Sequence, residues 1–408
     1  MRRYLQLLLV VACLASALPS TARADPERVL RAELAKGLAK GMPGISVAIA
    51  NRQGVVWTGA VGYADLTTRS RAHPGYMYGI GSITKLFVAC VVEQLVDEGR
   101  LNLEATGREI LGDAVVAGVP NADRATVRQF LDHTSGVPSW EFDRDWIRTG
   151  RGAGMDLNHR WAKAETLDFL RSGRDPATNE PGRGYGYSNS NYTLLGLIIE
   201  KVTGHEAVSE IHARVLAPLG LTDVHFEGFE PIDPARLPSR YHYGTAEFLR
   251  DAGLHASFRR VSPLLLDVSR SNLATEWTAG AIVATASDLA RVALALRDGL
   301  IVSPAALQRM QSFKPTDEKN EDMGQGLALD RYGSQTLIGH SGNVLGFSAV
   351  VGWVPDDDVV IALETNVGAM HSGESAYYLE KLLKESRVIE AARALAHELS
   401  PRRLATQP

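Results

Sequence analysis

Alternation of apolar and polar residues occurs near the start of the chain and again near its end, with mostly helical patterning in the long stretch between. "GISVAIANRQGVVWTGAVGYAD", Gly44 to Asp65, alternates on both sides of its "NRQG" turn and reads as a hairpin. "GSQTLIGHSG", "GFSAVVGWVPD" and "DVVIALETNV", between Gly333 and Val367, read as three adjacent antiparallel strands joined by turns. A lone hairpin is barely stable in water, so these distant strands are expected to meet in one sheet.

Between them lie "TVRQFLDH", "KAETLDFLRS", "NYTLLGLIIEKVTG", "AVSEIHARVLAPLG" and "TASDLARVALALRDG", which carry helical spacing and in several cases end on glycine. A polar helix from about Asp25 to Lys40 precedes the hairpin, and one from about Ser375 to Leu399 closes the chain. The expected fold class is therefore α+β. It has an antiparallel sheet flanked by helices (about 25–75 and 301–408), a mostly helical lobe (about 76–300), and a cleft between them. Two long segments in the helical part, "SWEFDRDWIRTGRGAGMDLNHRW" and "FEPIDPARLPSRYHYG", have loop-like composition and read either as functional rims or as packed excursions.

Composition is that of a globular protein, with 45% hydrophobic and 22% charged residues and no repeats. "MRRYLQLLLVVACLASALPSTARADPER" opens with two arginines, continues as an apolar run and ends in small residues, the pattern of a secretory leader cleaved after Ala24. The expectation is an exported protein, periplasmic or secreted, with a single catalytic domain over 25–408 and no stable membrane insertion once the leader is removed. "VVAC" offers a rival, lipid anchoring at Cys13, although the apolar region before it is short for that purpose. The formal net charge of -4 becomes more negative when Arg2, Arg3 and Arg23 leave with the leader, which argues against nucleic acid as a partner. Cys90 would then be the sole cysteine, inside an apolar helix where a packed thiol is the commoner state.

Three short stretches carry candidate chemistry. In "GIGSITKLF", Ser82 and Lys85 are three apart where a helix begins, so they share a face and the lysine can reach the hydroxyl. A capped helix start with a surface lysine reads equally well from the same residues. In "GRGYGYSNSNYTLLG", Tyr187 and Asn189 are two apart before a helix expected from about Asn191, so both can face one cleft; the other reading is a glycine-rich turn with an asparagine cap. In "LIGHSGNVLGF", Gly342 would let a substrate backbone approach a strand, Ser341 can donate a hydrogen bond and His340 can bring charge, unless the segment is a plain hairpin bend. No G-x-S-x-G elbow, H-E-x-x-H helix or phosphate-binding loop is present.

The order Ser-x-x-Lys, Tyr-x-Asn, His-x-Gly resembles the three boxes of the penicillin-recognising serine hydrolases, most closely the class C β-lactamase group with its D-alanyl-D-alanine carboxypeptidases and esterases. "FLDHTSGVP" at Phe130–Pro138, "WTAGAIVATASDLAR" from Trp277 and "GHSGNVLGF" from Gly339 extend the similarity over Gly44 to Asn366. The resemblance implies a β-lactamase/DD-peptidase-like fold with its active site in the cleft. It also implies Ser82 as the acylated nucleophile and Lys85 as its proton acceptor or as a tuning cation. Tyr187 would be the general base and Asn189 the group that binds the substrate amide and orients Lys85. The backbone N–H groups of Ser82 and Asn343 would form the oxyanion hole, with His340, Ser341 and Gly342 on the substrate-binding strand.

His133 would fix its loop through hydrogen bonds, and Trp277, Tyr241 and Tyr243 would either wall the pocket or pack in the core. Many relatives carry lysine and threonine in the third box. Histidine, with an ordinary pKa of about 6.5, is a weaker cation there, which lowers the expectation of efficient β-lactamase activity and leaves Arg331 to supply the missing charge. The expected activity is hydrolysis of a small peptide, amide, ester or lactam substrate, in the manner of a D-alanyl-D-alanine carboxypeptidase or a broad peptidase and esterase. The alternatives are a β-lactamase or a noncatalytic cell-wall binding or assembly protein, with peptidoglycan as a candidate partner. No cofactor is expected, and the histidines show no compact metal-ligand spacing.

Overall fold

A computed structural model describes residues 25–400. The leader and Cys13 lie outside the described residues. Helix α1 (Pro26–Ala39) is capped by Asp25, whose carboxylate accepts from the Glu27 and Arg28 amides, and it leads into the hairpin β1 (Gly44–Asn51) and β2 (Gly54–Gly62). The remaining strands of the main sheet come from the far end of the chain: β3 (Lys314–Pro315), β4 (Glu321–Met323), β5 (Ala328–Tyr332), β6 (Gln335–Val344), β7 (Phe347–Trp353) and β8 (Val360–Thr365). The order is β2-β1-β8-β7-β6-β5-β4-β3, antiparallel throughout, so the two ends of the sequence do share one sheet.

The alternation seen in the sequence separates the two faces of this sheet. Ile45, Val47, Val350, Ile361 and Leu363 face a core shared with α1, α5 (Leu379–Glu385) and α6 (Val388–Leu399). Ala48, Ala349, Val351 and Ala362 point the other way, where these mostly small residues let α4 (Ala286–Arg297) lie across the sheet. Helix α4, assigned by sequence to the helical lobe, lies across the sheet, and its buried residues also share a core with the helical part of the chain. The expected closing helix is two helices, since Ser386 is extended (φ -131°, ψ 176°) and Glu33 of α1 accepts from the Arg387 amide at 2.9 Å where the second begins.

The middle of the chain contains α2 (Thr84–Asp97) and α3 (Asn189–Thr203). It also holds two small sheets that the helical patterning concealed. One joins Tyr78–Gly79, Ile282–Ala284 and Val224–Phe226; the other joins Tyr241–Tyr243 to Val367–Gly368, Leu265–Asp267 and Arg259–Arg260. Strands of two or three residues are too short to show a period. The loop-like segment after Ser139 is partly helical as well. A 3-10 turn at Trp140–Phe142 precedes a helix at Arg144–Arg151, capped by Asp143 and anchored by the buried rings of Trp140 and Trp146. Cys90 is fully buried and burial pushes its thiol pKa up, which makes it a packed residue and not a nucleophile. Among the described residues, no helix is long and apolar enough to cross a membrane.

Candidate active site

Ser82 does not open the α-helix; it sits in a 3-10 turn, Gly81–Ile83, that feeds α2 at Thr84. Three residues per turn bring positions three apart into line, so the geometry suits Ser82 and Lys85 better than an α-turn would. Lys85 Nζ donates to Ser82 Oγ at 2.9 Å and to the Ala279 carbonyl at 2.7 Å, and its side chain is fully buried. No carboxylate lies within salt-bridge distance of it among the described residues. Burial brings Lys85 down to about 7, against the nearby charges of Glu141 and Glu276, which favour the ammonium. A lysine that is partly neutral near neutrality can take the proton of the serine it touches.

Ala279 is turned toward Lys85 by the backbone kink at Trp277 (φ 39°, ψ -125°), an unusual conformation for a bulky residue. Trp277 is 2% exposed and does not line the cavity; Tyr241 and Tyr243 are likewise core residues, and the Tyr241 hydroxyl accepts from the Leu66 amide at 2.8 Å. All three belong to packing, not to the pocket wall.

Tyr187 comes from the coil before α3 and its ring centroid lies 5.1 Å from Lys85 Nζ. Its phenol pKa is raised well above the ordinary range by burial and by the Glu141 carboxylate, while the Ser82 hydroxyl opposes the shift. His133 holds this tyrosine. The two rings stack at 4.3 Å and 26°, and His133 Nδ1 accepts from the Ser188 amide at 3.1 Å, directly after the tyrosine, and from Asn191 Nδ2 at 3.3 Å. Ser135 Oγ to Asn191, Ser190 Oγ to the Pro138 carbonyl and the Trp140 amide to Ser190 Oγ complete the attachment of the "HTSGVPSW" segment to the start of α3. The structural role expected of His133 is thus visible as the bonds that fix Tyr187.

Asn189 requires a correction. It is the first residue of α3, which begins two residues earlier than expected, and helical backbone turns it away from the direction of Tyr187. It is 2% exposed and donates through Nδ2 to Glu141 Oε2 at 2.6 Å, while its Oδ1 is buried without a partner among the described residues. The residue it presents is Glu141, which lines the cavity, is 4% exposed and also accepts from Ser139 Oγ at 3.2 Å. Burial raises the pKa of Glu141, and Lys85 opposes that. Sequence reading missed Glu141 because a single acid in an aromatic loop has no pattern of its own; only the proximity of "SWEF" to the "HTSG" motif could have drawn attention to it.

The strand β6 forms the opposite wall. His340, Ser341, Gly342 and Asn343 all line a cavity of about 590 Å³ together with Ser82, Glu141 and Tyr187. Gly342 must be glycine, since a Cβ there would lie 1.9 Å from the Ile80 carbonyl oxygen and 2.9 Å from the Ser82 amide nitrogen. Gly81, at φ +52°, is equally constrained, with the Asn343 amide nitrogen 2.8 Å from the site of a Cβ. These contacts bring the Ser82 and Asn343 backbone amides to the same end of the cavity, as an oxyanion hole needs. The Asn343 side chain accepts from the Ala369 amide at 2.8 Å and so ties down the loop of Ala369, Met370 and His371 that forms another part of the lining.

His340 does not supply a cation. Its ring is 4% exposed, and burial together with the Lys85 charge lowers its pKa to about 4, so it is neutral at neutral pH. Arg331 does not replace it, because it lies outside this cavity and pairs with Asp322 at 2.5 Å. The remaining ionisable groups on the lining are the carboxylic acids Asp317, Glu318 and Glu321, beside the aromatic rings of Phe142, Tyr185 and Tyr378; burial, with the Asp330 and Glu318 charges, raises the pKa of Glu321 to about 7. Among the described residues, no group of three or more His, Cys, Asp or Glu is placed to hold a metal ion.

A serine bonded to a buried lysine, beneath a tyrosine and beside an edge of a sheet opened by glycine, defines a serine hydrolase of the penicillin-recognising fold. The chain belongs to the beta-lactamase family, whose model matches residues 28–384. It is 32% identical over 212 residues to Protein flp of Staphylococcus aureus (strain NCTC 8325 / PS 47), a match over 50% of this chain that spans only 39% of that protein's length. Among solved structures it resembles D-amino acid amidase from Ochrobactrum anthropi SV3 in complex with L-phenylalanine amide, with a TM-score of 0.78 and 26% identity over 92% of this chain and 100% of that one. D-stereospecific amidohydrolase from Streptomyces sp. follows at 0.71 and 27%, over 84% and 94%.

Proposed function

We propose that this protein, after export, hydrolyses amide or peptide bonds through an acyl-enzyme on Ser82, with D-configured amino acid amides and short peptides as its substrates. The observation that carries the reading is the 2.9 Å bond from a fully buried Lys85, without a salt-bridge partner among the described residues, to Ser82 Oγ in a cavity that Gly342 also lines. Lys85 accepts the serine proton as Oγ attacks the carbonyl carbon. The oxyanion is received by the Ser82 and Asn343 amides, and the proton passes by way of Lys85 and Tyr187 to the departing nitrogen. Water then attacks the ester along the same route in reverse. The likeness to two amidases acting on D-amino acid derivatives, at 26% and 27% identity over most of the chain, supports the choice of substrate.

The test is intact-mass labelling with a fluorophosphonate, followed by rates on D-phenylalanine amide, a D-Ala-D-Ala peptide, a nitrophenyl ester and nitrocefin. The expected result is one adduct, lost in Ser82→Ala, and the D-amide as the best substrate. Folded protein that forms no adduct overturns the acyl-enzyme reading. An adduct with nitrocefin as the best substrate replaces amidase with β-lactamase.

A further inference from the structure

We infer that a recess between β4, β5 and α5 binds an organic cation, a primary ammonium or a guanidinium, and serves as a subsite for substrates whose side chain carries one. The subsite rests on the reading of the adjoining cavity as the substrate site; the binding of the cation does not.

The recess has a volume of about 160 Å³ and shares Glu318, Glu321, Ser341 and Tyr378 with the lining of the cavity around Ser82, so the two adjoin. It belongs to the other face of the sheet. Ser341 is opposite Val350, which packs in the core with α5 and α6, whereas His340 and Gly342 are opposite Val351 and Ala349 in the core on the far side. Three carboxylic acids from three elements meet there: Glu321 of β4, Asp330 of β5 and Glu380 of α5. Glu321 and Asp330 are half-buried and so keep surface for a ligand. Glu380 lies deeper, and its Oε2 is fully buried with no partner among the described residues. A buried acceptor left without a donor is costly, and a donor brought by a ligand would satisfy it.

The protein does not supply the counter-ion. Arg331 borders the recess but is committed to Asp322, and Lys384 is exposed and pairs with none of the three acids among the described residues. Burial and the neighbouring negative charges raise all three to about 7, with Asp330 acting on Glu321, Glu380 on Asp330 and Glu321 on Glu380, while Lys384 only opposes the shifts. Acids held this way are partly protonated near neutral pH, and a cation among them would return them to the ionised form. The ligand is an organic cation because no three acids among the described residues converge as metal ligands. The N–H groups of an ammonium or guanidinium point in several directions and can reach carboxylates that stand apart.

Agmatine, which carries both cationic groups, is the first probe. In the Ser82→Ala protein at pH 7, calorimetry should show that it binds and releases protons, seen as a difference in heat between phosphate and MOPS buffers, because a bound cation favours the ionised acids. Adding Asp330→Asn with Glu380→Gln, in protein that circular dichroism shows to be folded, should weaken binding about tenfold or more and remove the proton release. Should that variant not fold, Glu321→Gln alone should weaken binding about threefold or more. No binding, or binding that the folded variant leaves unchanged, overturns the recess as a cation site. The second measurement compares kcat/KM on D-lysinamide and D-norleucinamide, which differ only in the terminal ammonium. The ratio should be about tenfold or more in favour of D-lysinamide and fall to about twofold in the recess variant carrying Ser82. Equal rates on the two amides overturn the subsite even where agmatine binds. A missing fluorophosphonate adduct would sink the acyl-enzyme reading and leave the agmatine measurement intact.

Discussion

Lys85 and Arg151 are cations sealed inside this protein, and they are held in opposite ways. Arg151, 1% exposed, donates to Glu276 at 2.5 Å and packs over the Trp146 ring, so its charge is neutralised on the spot. Lys85, fully buried, has a hydroxyl and a carbonyl for partners and only distant help from Glu141 and Glu276. The first arrangement fixes a charge and makes it inert; the second leaves the protonated form under-compensated, which is what brings the lysine down into the working range. Reactivity here arises from withholding a carboxylate, and it costs stability that the surrounding core must supply.

The comparison breaks first at Lys85. Lys85→Arg keeps a cation but one that cannot give up its proton, and it is expected to lower kcat/KM by on the order of a thousandfold or more with the fold retained, as read by steady-state rates beside circular dichroism. Retained activity in this variant would mean that Lys85 acts as a fixed charge and that the proton goes elsewhere. At the other cation the expected effect is on stability. Arg151→Met leaves Glu276 buried and alone and should destabilise the fold by about 3–5 kcal/mol in denaturant melts, while Arg151→Met with Glu276→Leu should recover most of that loss. If the double variant stays as unstable as the single, the pair is not isolated and belongs to the electrostatics of the active site.

This contrast also explains what could be read in the sequence. The main sheet was legible because β1, β2, β6, β7 and β8 are long enough to show alternation, and its closure across the whole chain followed from strands at both ends. Ser82, Lys85, Tyr187 and the 340–343 segment were legible as motifs, because chemistry demands those residue types at short spacings. The roles of single residues within a motif were less so. Asn189 was placed in the cleft by an argument for extended backbone, and a helix starting two residues earlier turned it toward Glu141. The charge state of His340 depends on burial by elements far along the chain, and Arg331 had a competing partner in Asp322 that no local pattern announced. Glu141, Arg151 and Glu276 carry no spacing at all. Glu141 and Arg151 come from one loop-and-helix segment and Glu276 from another far along the chain, and only tertiary structure brings their charges to bear on one another and on Lys85.

Glu141 offers the smallest and sharpest test of how Lys85 is tuned. Its negative charge favours the lysine ammonium, so Glu141→Gln should lower the Lys85 pKa further. The nucleophile needs a neutral lysine, and activity in the unaltered protein should therefore rise with pH through about 7 as Lys85 loses its proton. In Glu141→Gln that rise should move to lower pH. The displacement is measured as the acid limb of kcat/KM on an uncharged nitrophenyl ester, chosen so that substrate charge does not follow the same curve. A limb that vanishes would assign it to the titration of Glu141 itself, whose own pKa burial has raised toward the same region, and one that moves upward would overturn the tuning of Lys85 by the Glu141 charge. Isosteric glutamine can still accept from Asn189 Nδ2 through its amide oxygen, which preserves the contact that joins the loop to α3, while the Ser139 Oγ bond to the other carboxylate oxygen is given up.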